Sequence, residues 1–460
     1  MLPFGGGSVP VVLPADPRLA SLPALVERVA AQLERELGAA PRVVESDPGG
    51  RCWVVRLGGA EPAHHLDRRA QRLVTEAPTP EGLFEALSTL RDLAGTPDGT
   101  HPVRDCADAA EVVDRVQHAI ATSFASIDRV DWAASVRRWA PRVKASADPM
   151  TEVRRWIATL GDAHTQVRRT TPWGFLRLGA AAGPDGAVVL WTVPEGSAAW
   201  RAGVRPGWRV EAGGLWDLHG GSPHHRPWVV GRAALGGPLG EARPWTARSG
   251  ARVVRWTDAV PEPFAPPHIT LGQTPSGVPI LRIGVWAPDL GPALHAALDA
   301  VFDRPRLVID LRGNPGGNLG VATAFRDRFV HQSGPVGWIR STTPSGPGPM
   351  EPLTAAPARV WRGQLHVLTD ARTYSSSEDF LLGVAGQGNV TVIGRPSGGG
   401  SGRMRSVRLL PGWRLTISTA LTWDRRRRLV EGQGIPVDRP VPWADPRTED
   451  PAEGAADRWT

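Results

Sequence analysis

Two stretches of this sequence constrain its fold more than any others. Leu307, Val308, Ile309 and Asp310 form an apolar run that enters a glycine-rich loop ending at Pro315, Gly316 and Gly317. Leu365 to Thr369 form a second apolar run, followed by Thr373, Tyr374, the serines Ser375, Ser376 and Ser377, and Glu378. Short apolar runs bounded by turn residues read as buried strands. A strand feeding a glycine loop, beside a strand feeding a serine turn, sets bare backbone N–H groups against a nucleophilic hydroxyl. The plainer reading is a capping box in which the serines open a helix that Glu378 closes. Capping and nucleophilic chemistry are compatible, so both readings stand.

The rest of the composition narrows the classes. At 460 residues, the chain is long enough for several domains. With 41% hydrophobic and 22% charged residues and a mean hydropathy of -0.21, it reads as a globular chain with ample core material. No apolar run approaches the ~18 residues of a membrane span, so no membrane partner is expected. Residues Met1 to Ser8 lack a basic segment followed by a long apolar one, so a cytoplasmic location is expected. The net charge of +7 would suit an anionic partner. Yet the arginines are dispersed, and the one dense run, Arg425 to Arg428, sits beside Asp424 as a solvated hairpin tip. No nucleic-acid motif accompanies it, so no nucleic-acid partner is expected.

Metals and cofactors are also unexpected. His64–His65 and His224–His225 lack a third ligand at metal spacing. Gly398 to Gly402 lacks the Lys of a phosphate loop. The two cysteines, Cys52 and Cys106, read as free thiols in a reducing compartment. Lys144 is the only lysine.

Periodicity divides the chain. Residues 22–37 place Leu22, Leu25, Val26, Val29, Leu33 and Leu37 on one helical face, with Ser21 as cap and Gly38 as stop. Strand-like runs at 41–45 and 52–57, the segment 70–77 and a helix over Thr79 to Leu90 complete an α/β module that ends near Ala94. Gly95 to Cys106 reads as a linker. Three amphipathic stripes follow between Ala107 and Leu160, the last leading directly to Gly161, Asp162, Ala163, His164 and Thr165. From Trp173 to Asp258, short strands alternate with glycine. From Pro279, strands and helices alternate as in an α/β layer domain, followed by a β-ribbon over residues 407–418.

Three resemblances attach to these residues. The first module, in particular Thr79 to Leu93, resembles the small accessory domain of family-20 β-hexosaminidases, which implies no catalytic part for it. The run Gly196, Ser197, Ala198, then Ala202, Gly203, Val204, then Pro206 and Gly207 resembles the signature of a PDZ domain, with Trp208 where that family has Asp. It implies a domain that adds a peptide tail as a strand, with Trp173, Gly174, Phe175 and Leu176 as its carboxylate-binding, peptide-binding loop. A spacer or lid is the alternative. The whole order over residues 105–445 is similar to the serine peptidases that include tail-specific (C-terminal-processing) proteases and the tricorn protease. It comprises a His-bearing helical segment, the PDZ-like part, the Asp310–Gly317 loop, the Ser375–Glu378 turn, the Gly398–Gly400 run and the Glu431–Asp438 segment.

That resemblance implies a multidomain α/β protein. It would comprise an accessory α/β domain (1–100), a helical segment carrying the catalytic His (105–170), an inserted PDZ-like β domain (171–262), a ClpP/crotonase-like α/β catalytic core (263–445) and a polar tail (446–460). It implies Ser375 as nucleophile and Gly316, Gly317 and Ser376 as oxyanion-hole donors. The lysine of tail-specific proteases has no counterpart, because Gly400 stands at its place and Lys144 lies outside the motif. The resemblance then runs to the tricorn-like branch, with His164 as base and Glu431 as its carboxylate partner. Ala163 stands where that branch has a serine, and Asp162 is a rival carboxylate. The reaction expected is acyl-enzyme chemistry on a peptide. An acyl small molecule handled by a transferase, a silent ligand-binding relative and a PDZ-led scaffold are the alternatives. A homo-oligomer is compatible with the resemblance.

Overall fold

The computed structural model describes residues 9–12, 41–44, 52–57, 62–67, 72–77, 86, 99–102, 104–182, 187–211, 213–260, 269–343, 346–357, 359–400 and 402–441. The helical readings of 22–37 and 79–90 lie outside these residues, apart from a buried, helical Ala86, as does the tail 446–460.

The N-terminal strands form a six-stranded sheet in the order Pro41–Val44, Val9–Val12, Cys52–Leu57, Arg72–Ala77, Ala63–Asp67 and Gly99–Pro102. The last strand corrects the linker reading of 95–106. Gly99–Pro102 pairs antiparallel with Ala63–Asp67 and extends the sheet, because its backbone completes an open edge whatever its composition. His64 and His65 belong to this sheet, bonded to Thr75 at 3.1 Å and Glu76 at 2.8 Å.

The three amphipathic stripes form helices α1 (Ala109–Ser123), α2 (Trp132–Ala145) and α3 (Pro149–Ala158). Each starts at an aspartate, Asp108, Asp131 or Asp148, whose carboxylate accepts a first-turn N–H. Their apolar faces, including Val116, Ile120, Val143, Val153 and Trp156, pack on Val407, Leu409, Leu415 and Ile417 of the C-terminal ribbon. That ribbon, Met404–Arg408 and Trp413–Ser418, takes Gln166–Arg169 as a third strand, pairing Val167 with Leu415. His164 is thus delivered to the core by a strand that begins two residues after it.

Residues 173–260 form a five-stranded antiparallel sheet in the order Arg252–Ala259, Ala242–Ser249, Arg209–Val210, Val188–Thr192 and Gly179–Ala182. The short helix α4 (Ala198–Arg201) starts at Ser197. Helix α5 (Arg226–Ala234) lies along the outer strand Gly179–Ala182, so closely that a Cβ on Gly231 would stand 2.3 Å from the carbonyl oxygen of Ala180. The edge of that strand is therefore covered by the chain's own helix.

The catalytic-type core is a six-stranded sheet in the order Ile269–Gln273, Pro279–Ile283, Arg306–Asp310, Gln364–Thr369, Val390–Gly394 and Arg439–Pro440. All pairs but the first are parallel. Helices α6 (Gly291–Asp299), α7 (Leu319–Arg326) and α8 (Ser376–Val384) join one apolar cluster with Leu281, Leu307, Ile309 and Val367, while Val308, Leu368 and Ile393 line the opposite face. A three-stranded sheet of Gly346–Ala355, Gly334–Thr343 and Ala420–Asp424 was not read from the sequence. Among the described residues, no helix is long and apolar enough to cross a membrane.

Gly231→Ala tests the contact between α5 and the sheet. Helix propensity alone favours Ala by about 0.5–1 kcal/mol. The collision is with backbone, so overpacking should win and destabilise the protein by roughly 1–3 kcal/mol. Urea unfolding that shows equal or higher stability would contradict this packing.

Candidate active site

The site is assembled where two neighbouring parallel strands end. Arg306–Asp310 stops at Asp310, whose carboxylate is held by the Arg312 guanidinium at 2.6 and 2.8 Å. The loop beyond is tied down by the buried Asn314. Its amide donates to Ile283 O at 3.0 Å, its Oδ1 accepts from Gly316 N at 2.9 Å, and its carbonyl accepts from Tyr374 N at 3.0 Å. Gly316 (φ 101°) and Gly317 (φ 128°) then follow in conformations that favour glycine. A Cβ on Gly316 would lie 2.6 Å from Ser375 Cβ, and one on Gly317 would lie 2.2 Å from Trp286 O. The glycine backbone therefore lies directly against the serine turn.

The second strand, Gln364–Thr369, ends at Asp370. Asp370 accepts the N–H groups of Gly313, Arg372 and Thr373, joining the two loops. Thr373 Oγ1 donates to Leu311 O at 2.8 Å. Ser375 follows with φ 58° and ψ -124°, immediately before α8. Such a conformation costs a non-glycine residue on the order of 1–3 kcal/mol and persists only where its surroundings enforce it.

Glu378 is the enforcing group. It has no exposed surface, and its two oxygens accept from Ser375 N (3.1 Å), Ser397 Oγ (2.6 Å), Gly399 N (2.8 Å) and Gly400 N (2.8 Å). Burial pushes its carboxyl up to about 7, against these donors, which favour the charged form. Ser376 Oγ donates to Gly317 O at 2.8 Å, and Trp286 Nε1 donates to Ser377 Oγ at 2.9 Å, so the other two serines are engaged in the scaffold.

The expected donors divide accordingly. Gly316 N–H is engaged by Asn314 Oδ1. The N–H groups of Gly317 and Ser376 have no acceptor among the described residues, and Ser376 N lies 2.9 Å from where a Gly316 Cβ would stand.

His164 is buried on the turn after α3. Asp162 does not reach its ring. One carboxylate oxygen accepts the His164 backbone N–H at 2.8 Å and the other accepts Thr165 Oγ1 at 2.8 Å. Among the described residues, His164 Nδ1 is buried without a partner, as is Oε2 of the half-buried Glu431. Burial pushes His164 down to about 4, opposed by the charge of Asp162 and assisted by Arg168, His225 and Arg403. Burial pushes Glu431 well up, reinforced by Asp162 and Glu378. The segment bearing Glu431 joins the site through Gly432 N, which donates to Gly399 O at 2.8 Å.

Gly400 has no room for a side chain. A Cβ there would stand 1.8 Å from the hydroxyl oxygen of Tyr374, whose ring fills that space. Lys144 is exposed on α2. Tyr374 also packs against the rings of His164 (centroids 4.6 Å) and His225 (4.2 Å, interplanar angle 5°). Sequence reasoning assigned neither Tyr374 nor His225. The available signals were the single tyrosine of the chain beside the serine run and the His224–His225 pair, read only for metal. Trp173–Phe175 pairs antiparallel with Gly236–Pro238, and Leu176 N donates to Leu235 O, so this loop is bonded to the segment following α5. Among the described residues, no group of three or more His, Cys, Asp or Glu has the geometry of a metal site.

A parallel α/β core that presents a strained serine at a helix start, against a glycine loop with an open N–H at Gly317, has the build of a serine hydrolase. Residues 280–441 match the model of peptidase family S41. Over these residues the chain is similar to the serine peptidases of that family. Solved structures share the fold over most of its length. A photosystem II D1 C-terminal processing protease is 16% identical over 74% of this chain and 94% of its own, with a TM-score of 0.50. Mature CPAF is 13% identical over 74% of this chain and 93% of its own, with a TM-score of 0.58. Mature CPAF complexed with lactacystin covers 77% and 97% at 13% identity, with a TM-score of 0.57. Curated protein sequences give no match.

Glu378→Gln should dismantle the turn. With its NH2 toward Ser375 and Gly400, the amide faces two N–H donors that then lack an acceptor, and turned the other way it faces the N–H of Gly399, at a cost of at least ~1 kcal/mol. Thermal unfolding and the rate of serine modification should both fall. Wild-type values in both would refute the clamp.

Proposed function

We propose that the protein cleaves peptides through an acyl-enzyme on Ser375. His164 is the general base, Glu431 its carboxyl partner, and the N–H groups of Gly317 and Ser376 form the oxyanion hole. The observation that carries this is Ser375 itself, held at positive φ beside two backbone N–H groups that no acceptor among the described residues satisfies. Ser375 Oγ attacks the substrate carbonyl while His164 accepts its proton. The two N–H groups receive the charge that develops on the carbonyl oxygen. His164 next hands the proton to the departing amine, and water releases the acyl group by the same steps in reverse. Burial favours the uncharged imidazole, the form able to accept the serine proton.

The PDZ-like reading of residues 171–262 is retained as a proposal, with Trp173 to Leu176 as its peptide loop. In the present arrangement α5 covers the edge strand Gly179–Ala182, so strand addition there requires α5 to move away. Cytoplasmic location and self-association also stand as proposals.

Intact mass after treatment with a fluorophosphonate tests the assignment. One adduct is expected on the wild type, and none on Ser375→Ala or His164→Ala. An adduct on another residue, or full reaction of His164→Ala, would overturn it.

The pH profile is a second test. Because His164 stays neutral down to about 4, the acid limb of the modification rate should fall near that value rather than near the ordinary ~6.5 of histidine. His219 and His225 are also pushed down to about 4 by burial. Between about 4 and ~6.5 the native state binds fewer protons at these groups than the unfolded chain does. Their contribution to stability is thus complete above ~6.5 and lost as pH falls. A limb near 6.5 would contradict a buried, neutral base.

A further inference from the structure

We infer that Tyr374 and His225 are positioning residues of this active site, forming a stack of rings that orients the His164 imidazole and is anchored by the inserted β region. The inference rests on the reading of His164 as base. In a Ser–His site, the imidazole is normally oriented by a hydrogen bond to the nitrogen facing away from the serine. Here His164 Nδ1 has no such partner among the described residues. The main chain of His164 is fixed, by Asp162 at its N–H and by Thr416 Oγ1 at its carbonyl (2.6 Å). The ring itself is free to turn unless packing prevents it.

Packing prevents it through Tyr374. The tyrosine ring stands 4.6 Å from the His164 ring at 40°. Its own orientation is set from two sides. Gly398 and Gly400 give it a slot that any side chain would close, since a Cβ on either would lie 2.6 or 1.8 Å from the tyrosine. His225 stacks on it in parallel, at 4.2 Å and 5°. No group among the described residues hydrogen-bonds the Tyr374 hydroxyl, so the ring and not the hydroxyl carries the effect.

His225 is in turn fastened to the core. Its Nδ1–H donates to Ala371 O at 2.6 Å, which sets the plane of the imidazole. Ser222 Oγ donates to Gly398 O at 2.7 Å, and His224 Nε2 donates to Ser397 O at 2.6 Å. Three carbonyl contacts, on Ala371, Ser397 and Gly398, thus clamp the residues that open α5 around the nucleophile turn. Gly220 closes the other side, where a Cβ would lie 2.9 Å from Asp162 O. The loop before α5 therefore touches both the base-bearing turn and the serine-bearing turn. The active site is composite, with one ring supplied from the inserted region.

Inactivation kinetics with a fluorophosphonate, on the full-length chain, test this. The variants are Tyr374→Phe, Tyr374→Leu, His225→Phe and His225→Leu, with thermal unfolding beside each. Phe keeps a flat ring and Leu fills comparable space without one, so a purely space-filling role treats the two alike. Tyr374→Phe should keep the maximal inactivation rate within about threefold, and His225→Phe, which keeps the ring but loses the bond to Ala371 O, should stay well above His225→Leu. The Leu variants should lose on the order of 100-fold in that rate, with the reagent's half-saturation unchanged, the scale expected for a displaced catalytic group. Should Tyr374→Leu not fold, the His225 pair carries the comparison. Equal rates for Phe and Leu at either position would overturn the inference while leaving the serine assignment standing. Failure of the wild type to react would remove both.

Discussion

The buried carboxyl of Glu378 is the interaction on which the rest of the site depends. It gathers donors from Ser375, Ser397, Gly399 and Gly400, joining two turns that are separated in sequence. A carboxyl without exposed surface is costly unless it is satisfied, and four donors satisfy it. In return it holds Ser375 in a conformation the serine would not adopt alone. The same bonds fix the Gly398–Gly400 run, which leaves the slot for Tyr374 and receives the segment carrying Glu431. Ser375, the Tyr374 ring and the Glu431 segment are therefore parts of one network.

Glycine placement leaves no room for a lysine base beside Ser375. At Gly400 the space a longer side chain would use belongs to Tyr374, and the chain's only lysine is exposed on α2. The general base proposed in its stead, His164, stands on the helical layer. Helix α3 and the strand Gln166–Arg169 hold the intervening turn against the core ribbon, with Val167 packed opposite Leu415. The same turn lies beside the loop that opens α5, so the inserted region borders the chemistry on two sides.

What was legible in the sequence was local. Apolar runs gave the core strands, amphipathic stripes marked the three helices before His164, and the Ser375–Glu378 spacing marked the turn. The less legible features depend on contacts between distant segments. Gly99–Pro102 becomes a strand only because an open sheet edge needs its backbone, and a linker-like composition conceals that. The long hairpin of Gly334–Thr343 and Gly346–Ala355 is rich in proline and glycine and alternates poorly. Its pairing with Ala420–Asp424 supplies what its composition does not. Tyr374 and His225 lie 149 residues apart, and no period or motif links them. Gly316 and Gly317 look equivalent in sequence, yet the Asn314 side chain engages the N–H of the first and leaves that of the second open.

The most direct measurement is a crystal structure of the protein bearing a phosphonate or boronate adduct. The account predicts a tetrahedral adduct on Ser375 Oγ with one oxygen within about 3 Å of both Gly317 N and Ser376 N, the reach of a charge-assisted hydrogen bond. It also predicts that Glu378 keeps its four donors. An adduct oxygen directed away from those two N–H groups, or a Ser375 that relaxes to negative φ when modified, would contradict the central claim.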